Sequence, residues 1–173
     1  MPTHAEKRRM PHSPEEMFAL VADIDKYPEF LPWCVGTRIT SRKGEVVLAD
    51  MVIGYKMFRE KFTSRVTLYP ESTDREVRST TDEYTPVERG AATEGGTTPT
   101  PRIDVQYMDG PFKYLNNHWI FLPEPDGTCT VDFYVDFEFR SKLLQKMIGA
   151  VFNEAVKIMV HAFEKRADTI YMK

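Results

Sequence analysis

Eleven residues from Cys129 to Phe139, CTVDFYVDFEF, alternate apolar and polar with hardly a break. Val131, Phe133, Val135, Phe137 and Phe139 fall on one face, and Asp132, Tyr134, Asp136, Glu138 and Arg140 on the other. Successive side chains of a strand point to opposite sides, so this stretch reads as a half-buried strand. The period then changes. Ser141 can cap a helix, and from there to about Tyr171 apolar residues recur at helical spacing. Leu144, Met147, Ile148, Val151, Ala155, Ile158, Met159, Ala162 and Phe163 make a wide apolar stripe. Lys142, Lys146, Asn153, Lys157, Glu164 and Asp168 take the polar side. Such a helix is roughly 45 Å long at 1.5 Å per residue. A strand and a long helix therefore adjoin, each with an apolar side to bury.

Upstream the chain reads as more strands after a short helical start. A weak strand spans His4 to Met10, and Ser13-Pro14-Glu15-Glu16 opens a helix with a cap, a proline at the first position and a capping box. Met17, Leu20, Val21 and Ile24 give that helix one inward face. Pro28 weakens it near Asp25, which leaves Tyr27 to Trp33, YPEFLPW, as at most a short, broken second helix. Period two then returns. Val35, Thr37 and Ile39 suggest a strand, Arg42-Lys43-Gly44-Glu45 a turn, and Val46 to Tyr55 a further strand. Phe58 to Leu68 places Phe58, Phe62, Val66 and Leu68 on one face and Arg59, Lys61, Thr63, Arg65 and Thr67 on the other. Ile103 to Met108 and Tyr114 to Leu122 complete the set. The fold class is α+β, with one antiparallel sheet of about six to seven strands whose apolar face only the terminal helix is long enough to cover.

The stretch from Pro70 to Arg102 is rich in Thr, Glu, Gly and Pro and poor in large apolar residues, so it is expected to be a flexible polar insertion. It holds seven acidic and four basic residues, which accounts for the whole net charge of −3 and leaves the rest of the chain balanced. The formal charge of −3 lacks the basic excess of a general nucleic-acid binder, so no DNA partner is expected. The acidic total belongs to the insertion and says nothing about a binding surface. Cys34 and Cys129 are too few for a disulfide framework and read as reduced core thiols of a cytoplasmic protein. The four histidines are scattered with no two-His motif, so no metal site is expected. No apolar run approaches the length of a membrane span, and the start has no signal-peptide core.

No motif points to catalysis. The chain has no GxSxG elbow, Gly-rich phosphate loop or paired-carboxylate signature, and Ser64 and His118 would meet only by chance. Leu115, Asn117, Trp119 and Phe121 share one strand face. For Phe121 plain core packing is the simpler reading. Asn117 beside Trp119 suits either an internal hydrogen bond or an amphipathic ligand with a polar head. Met147 and Met159 on the helix stripe suit either a core gap or a site that moulds around a flexible lipid. Arg59, Lys61 and Arg65 are either a solvated sheet face or a docking face for ribosomal RNA or anionic lipid.

Three blocks carry a family likeness: DIDKYPEFLPWC (Asp23 to Cys34), REKFTSRV (Arg59 to Val66) and GPFKYLNNHWIF (Gly110 to Phe121). In this order they resemble the signature blocks of the coenzyme Q-binding proteins of the START/polyketide cyclase superfamily, a family that also includes the bacterial ribosome-association toxin A proteins. The resemblance runs from about residue 3 to 170 and departs at Pro70 to Arg102, which looks about two dozen residues longer than usual. It implies a helix-grip fold, with residues 1–173 as a single START-like lipid-binding domain. It implies a non-enzymatic role with no catalytic cofactor, in which ubiquinone or a related polyprenyl quinone is bound in support of respiration and quinone biosynthesis. The alternative it implies is a regulator bound to the large ribosomal subunit. A cytoplasmic bacterial protein, peripheral at the inner membrane through transient surface contact, fits the first role. The implied cavity and mouth draw on Tyr27, Phe30, Leu31, Trp33, Phe62, Phe112, Leu115, Asn117, Trp119, Phe121, Phe133, Phe137, Met147, Val151 and Met159. In that fold YPEFLPW would be a partly exposed apolar rim, held by its prolines and serving as a ligand gate.

Overall fold

Seven strands pair antiparallel into one sheet in the computed structural model, which describes residues 3–55, 58–70 and 100–171. The strands are β1 (Thr3–Met10), β2 (Cys34–Lys43), β3 (Val46–Tyr55), β4 (Phe58–Tyr69), β5 (Arg102–Asp109), β6 (Phe112–Pro123) and β7 (Cys129–Phe139). Their order across the sheet is β1-β7-β6-β5-β4-β3-β2, so the last strand pairs with the first and the remainder are neighbours in sequence. Helix α1 (Pro14–Ala22), a 3-10 helix (Ile24–Glu29) and helix α2 (Lys142–Tyr171) cover one face. The sheet is curved around α2, in the helix-grip arrangement.

Local chemistry sets the boundaries. Ser13 Oγ accepts from Glu16 N at 3.1 Å and Glu16 Oε1 accepts from Ser13 N at 3.0 Å, a complete capping box. Ser141 Oγ accepts from Leu144 N at 3.3 Å and starts α2. The β2–β3 turn rests on Gly44, whose φ of 57° suits glycine. Register shifts interrupt β2 twice, and Val35 is left 49% exposed rather than facing the core. A shift between Phe112 and Tyr114 lets Phe112 join the odd-numbered residues of β6 on the inner face.

Three expectations need correction. The stripe on α2 is turned from the one the spacing suggested: Phe152, Val156, Val160, Phe163 and Ala167 are buried, whereas Met147 and Ile158 are 38% and 44% exposed. The outer face of the sheet is not uniformly solvated, since Arg102, His118, Asp132 and Tyr134 are all buried there. Arg102 Nε donates to Asp104 Oδ1 at 2.6 Å, and the His118 ring stacks on Tyr134 with centroids 5.3 Å apart. These outer residues pack on one another, so alternation alone overstated their contact with water. The polar insertion also ends earlier than expected, because Thr100, Pro101 and Arg102 are buried at the entry to β5. Residues 71–99, where most of that insertion was placed, lie outside the described residues.

Candidate functional site

Between the sheet and α2 lies a cavity of about 290 Å³. Its sheet wall comes from alternate positions of five strands: Ala49, Met51 and Ile53 of β3, Phe62, Ser64 and Val66 of β4, Ile103 and Val105 of β5, Leu115, Asn117 and Trp119 of β6, and Phe133, Val135, Phe137 and Phe139 of β7. The register aligns them. Met51 faces Phe62, Ala49 faces Ser64, and Trp119 faces both Ile103 and Phe133. The helix wall is Ile148, Val151, Phe152, Ala155, Val156, Met159 and Phe163, without a polar side chain.

Tyr27, Leu31 and Trp33 close the gap between the β2–β3 edge and α2. Burial holds the Tyr27 phenol well above its ordinary pKa, so it stays protonated and donates to the Val21 carbonyl. Trp33 Nε1 donates to the Ala155 carbonyl at 3.4 Å, and the Trp33 carbonyl accepts from Gly54 N at 2.9 Å. At the other end of the segment, Arg166 donates to Glu29 at 2.8 Å and lies over the Phe30 ring at 5.2 Å. YPEFLPW is therefore tied to α2 at two points. Tyr27 and Leu31 are each 8% exposed, so these two are wall rather than a partly exposed rim.

Twelve of the fifteen residues singled out from the sequence line the cavity: Tyr27, Leu31, Trp33, Phe62, Phe112, Leu115, Asn117, Trp119, Phe133, Phe137, Val151 and Met159. Three do not. Phe30 packs edge-on against Phe163 on the far side of the segment. Phe121 is fully buried against Phe18, in the core beyond the cavity end. Met147 sits on the exposed side of α2. Phe152 and Val156 went unread because the helical stripe was centred too far round. Ser64 was weighed only as a nucleophile, although its place two residues from both Phe62 and Val66 was signal enough for an inward group.

The chemistry of the cavity is sparse. Cys34 and Cys129 are both buried in the core and neither lines the cavity. Burial pushes their thiols up to about 11 and about 12, so both stay protonated and unreactive. Ser64 and His118 share no site, since Ser64 faces the cavity and His118 the opposite side of the sheet. Asn117 Nδ2 donates to the Tyr134 carbonyl at 2.8 Å. The Ser64 hydroxyl and the Trp119 indole N–H find no acceptor among the described residues. Arg59, Lys61 and Arg65 are exposed on the outer face, away from the cavity, and make no ion pair among the described residues. No group of metal-binding side chains occurs among the described residues, and no helix there is long and apolar enough to cross a membrane.

Comparison with known proteins agrees with the helix-grip fold. Residues 10–164 match the family described as polyketide cyclase / dehydrase and lipid transport. The chain belongs to that family. Among its relatives, the ribosome association toxin RatA of Rickettsia prowazekii is 35% identical over 93% of this chain and 92% of that one. The mitochondrial coenzyme Q-binding protein COQ10 homolog B of Xenopus laevis is 31% identical over 97% of this chain but only 59% of its own length. The solution structure of the 18 kDa protein CC1736 from Caulobacter crescentus covers the whole of both chains at 32% identity, with a TM-score of 0.66. The description of the polyketide cyclase and lipid-transport family spans both enzymes and carriers, so membership alone does not fix the chemistry.

Proposed function

We propose that this chain is a non-catalytic binding protein that holds ubiquinone or a similar polyprenyl lipid between the sheet and α2. The observation that carries the reading is the lining: a 290 Å³ cavity walled almost wholly by Phe, Trp, Val, Ile, Leu and Met side chains. An apolar cavity of this kind favours a hydrocarbon-rich ligand, because each square ångström of apolar surface removed from water contributes about 25 cal/mol. The volume is near the lower end of ligand pockets, about 300–1,000 Å³, which suits a ring with a short stretch of isoprenoid and leaves a longer tail outside. Met51 and Met159 give the wall adaptable side chains. No charged side chain lines the cavity among the described residues, which speaks against acid–base catalysis on the ligand. A relative named as a coenzyme Q-binding protein supports the same reading. A site of action at the surface of the membrane that supplies the lipid goes with this reading.

A second reading rests on the exposed Arg59, Lys61 and Arg65 and on the relatives named ribosome association toxin. In it the outer face of β4 meets ribosomal RNA. One purification separates the two. Protein isolated from a host that makes ubiquinone is extracted with organic solvent and the extract analysed by mass spectrometry, while the same lysate is sedimented at several salt concentrations. The lipid reading expects a polyprenyl quinone in the extract and little protein with the large ribosomal subunit at physiological salt. An empty extract, together with salt-sensitive cosedimentation, would replace it with the ribosomal reading.

A further inference from the structure

We propose that Ser64 and Asn117 form a head-group subsite, so that a bound isoprenoid lies with its hydrogen-bond-accepting polar end on the sheet and its tail against α2. This rests on the lipid reading above and adds an orientation and a chemical requirement to it. Ser64 is 6% exposed, lines the cavity, and has no hydrogen-bond partner among the described residues. The hydroxyl opens on the cavity rather than into packed protein, so on an otherwise apolar wall its hydrogen-bonding capacity is directed at whatever the cavity holds.

Asn117 supplies the second point. One of its amide hydrogens is held by the Tyr134 carbonyl, which also fixes the orientation of the amide. The other hydrogen and the amide oxygen are left for the cavity that Asn117 lines. The register sets the two residues two strands and two positions apart on the same face, roughly 12 Å between Cα atoms. Ser64 pairs with Tyr107, Asn117 pairs with Val105, and Tyr107 and Val105 are successive inward positions of β5. A hydroxyl and an amide N–H on one inward face can both donate, each to a different one of the carbonyl and ether oxygens spread around a substituted quinone ring. No polar side chain faces them from α2, so only the hydrocarbon part of such a molecule suits that side.

The test compares two probes, a ubiquinone with three isoprene units and the hydrocarbon farnesene. Each competes against one cavity-bound fluorescent dye, in the wild type, Ser64→Ala and Asn117→Leu. In the wild type the quinone should bind more tightly than farnesene. Ser64→Ala should weaken the quinone about five- to tenfold, the cost of one hydrogen bond, and leave farnesene unchanged. Its melting temperature without ligand should stay level or rise, because the variant deletes an unpartnered hydroxyl. Asn117→Leu should also reduce the preference for quinone, with Ser64→Ala standing as the decisive variant if loss of the Tyr134 bond impairs folding. Equal affinities for quinone in wild type and Ser64→Ala would overturn the subsite while leaving the lipid reading in place. So would a parallel loss of farnesene. If neither probe displaces the dye from the wild type, both proposals fall.

Discussion

Gly110 is held where no other residue fits. Its φ is 145°, and a Cβ there would lie 2.6 Å from Phe62 Cβ and 2.9 Å from Phe62 Cα. The tip of the β5–β6 hairpin thus rests directly on the backbone of a residue that lines the cavity, which gives a physical reason for a glycine at the head of GPFKYLNNHWIF. Gly110→Ala should cost about 2–3 kcal/mol from backbone strain and overpacking, whereas Gly127→Ala, with open space around it, should cost about 1 kcal/mol. Thermal unfolding of the pair checks this. His118 makes a second residue-scale case. Burial, reinforced by nearby Arg102, lowers its pKa from 6.5 to about 4. The folded state then binds fewer protons than the unfolded one between those values, so stability is full above pH 6.5 and is lost as pH falls toward 4, by on the order of 3 kcal/mol. Melting temperatures from pH 7.5 to 4.5 should show that fall, and His118→Phe, which keeps the stack on Tyr134, should flatten it. An unchanged slope in the variant would assign the acid sensitivity to other groups.

The element that the sequence revealed best is β7, and the one it blurred is α2. Strand alternation has a period of two, so an error of one residue is visible at once, and Cys129–Phe139 was placed to the residue. A helix with apolar groups over a wide arc tolerates a large error in phase. Met147 and Ile158 were drawn into the stripe by hydropathy, while Phe152, Val156 and Val160 carry the burial. Phe152→Ala should therefore cost about 3–5 kcal/mol and Met147→Ser within about 0.5 kcal/mol, a contrast that urea unfolding measures. The YPEFLPW segment was legible as non-helical and apolar, but its ties to Gly54, Ala155 and Arg166 join residues far apart in sequence and leave no local trace. Because Leu31 is buried, Leu31→Ser should destabilise the fold by about 2–4 kcal/mol. Half-buried Trp33 is the better probe of ligand contact: Trp33→Ala should lose more quinone affinity than stability. If the two substitutions unfold the protein equally, the segment serves the core alone.

At the scale of the whole molecule, the fold puts its two candidate surfaces on opposite sides of one sheet. Phe62, Ser64 and Val66 face the cavity, while Arg59, Lys61 and Arg65 of the same strand face outward. Changing those three cations to glutamate should leave bound quinone within about 20% of wild type, since exposed charges on the far face are screened within about 10 Å at 0.1 M salt. Ribosome cosedimentation, if it occurs, should vanish in the same variant. The cavity itself is most directly tested by occupying it with protein. Ala155 lines the helix wall beside Trp33, and a phenyl ring at that position would take up space a ligand needs. The measurement is the melting-temperature rise produced by a short-chain ubiquinone in the wild type and in Ala155→Phe. At a ligand concentration of 100 Kd the wild type should gain about 2.7 kcal/mol, which corresponds to roughly 5–10 °C for a chain of this size. Ala155→Phe should fold and show less than about 2 °C. Equal rises in the two proteins would place the quinone outside the cavity, and no rise in the wild type would contradict quinone binding altogether.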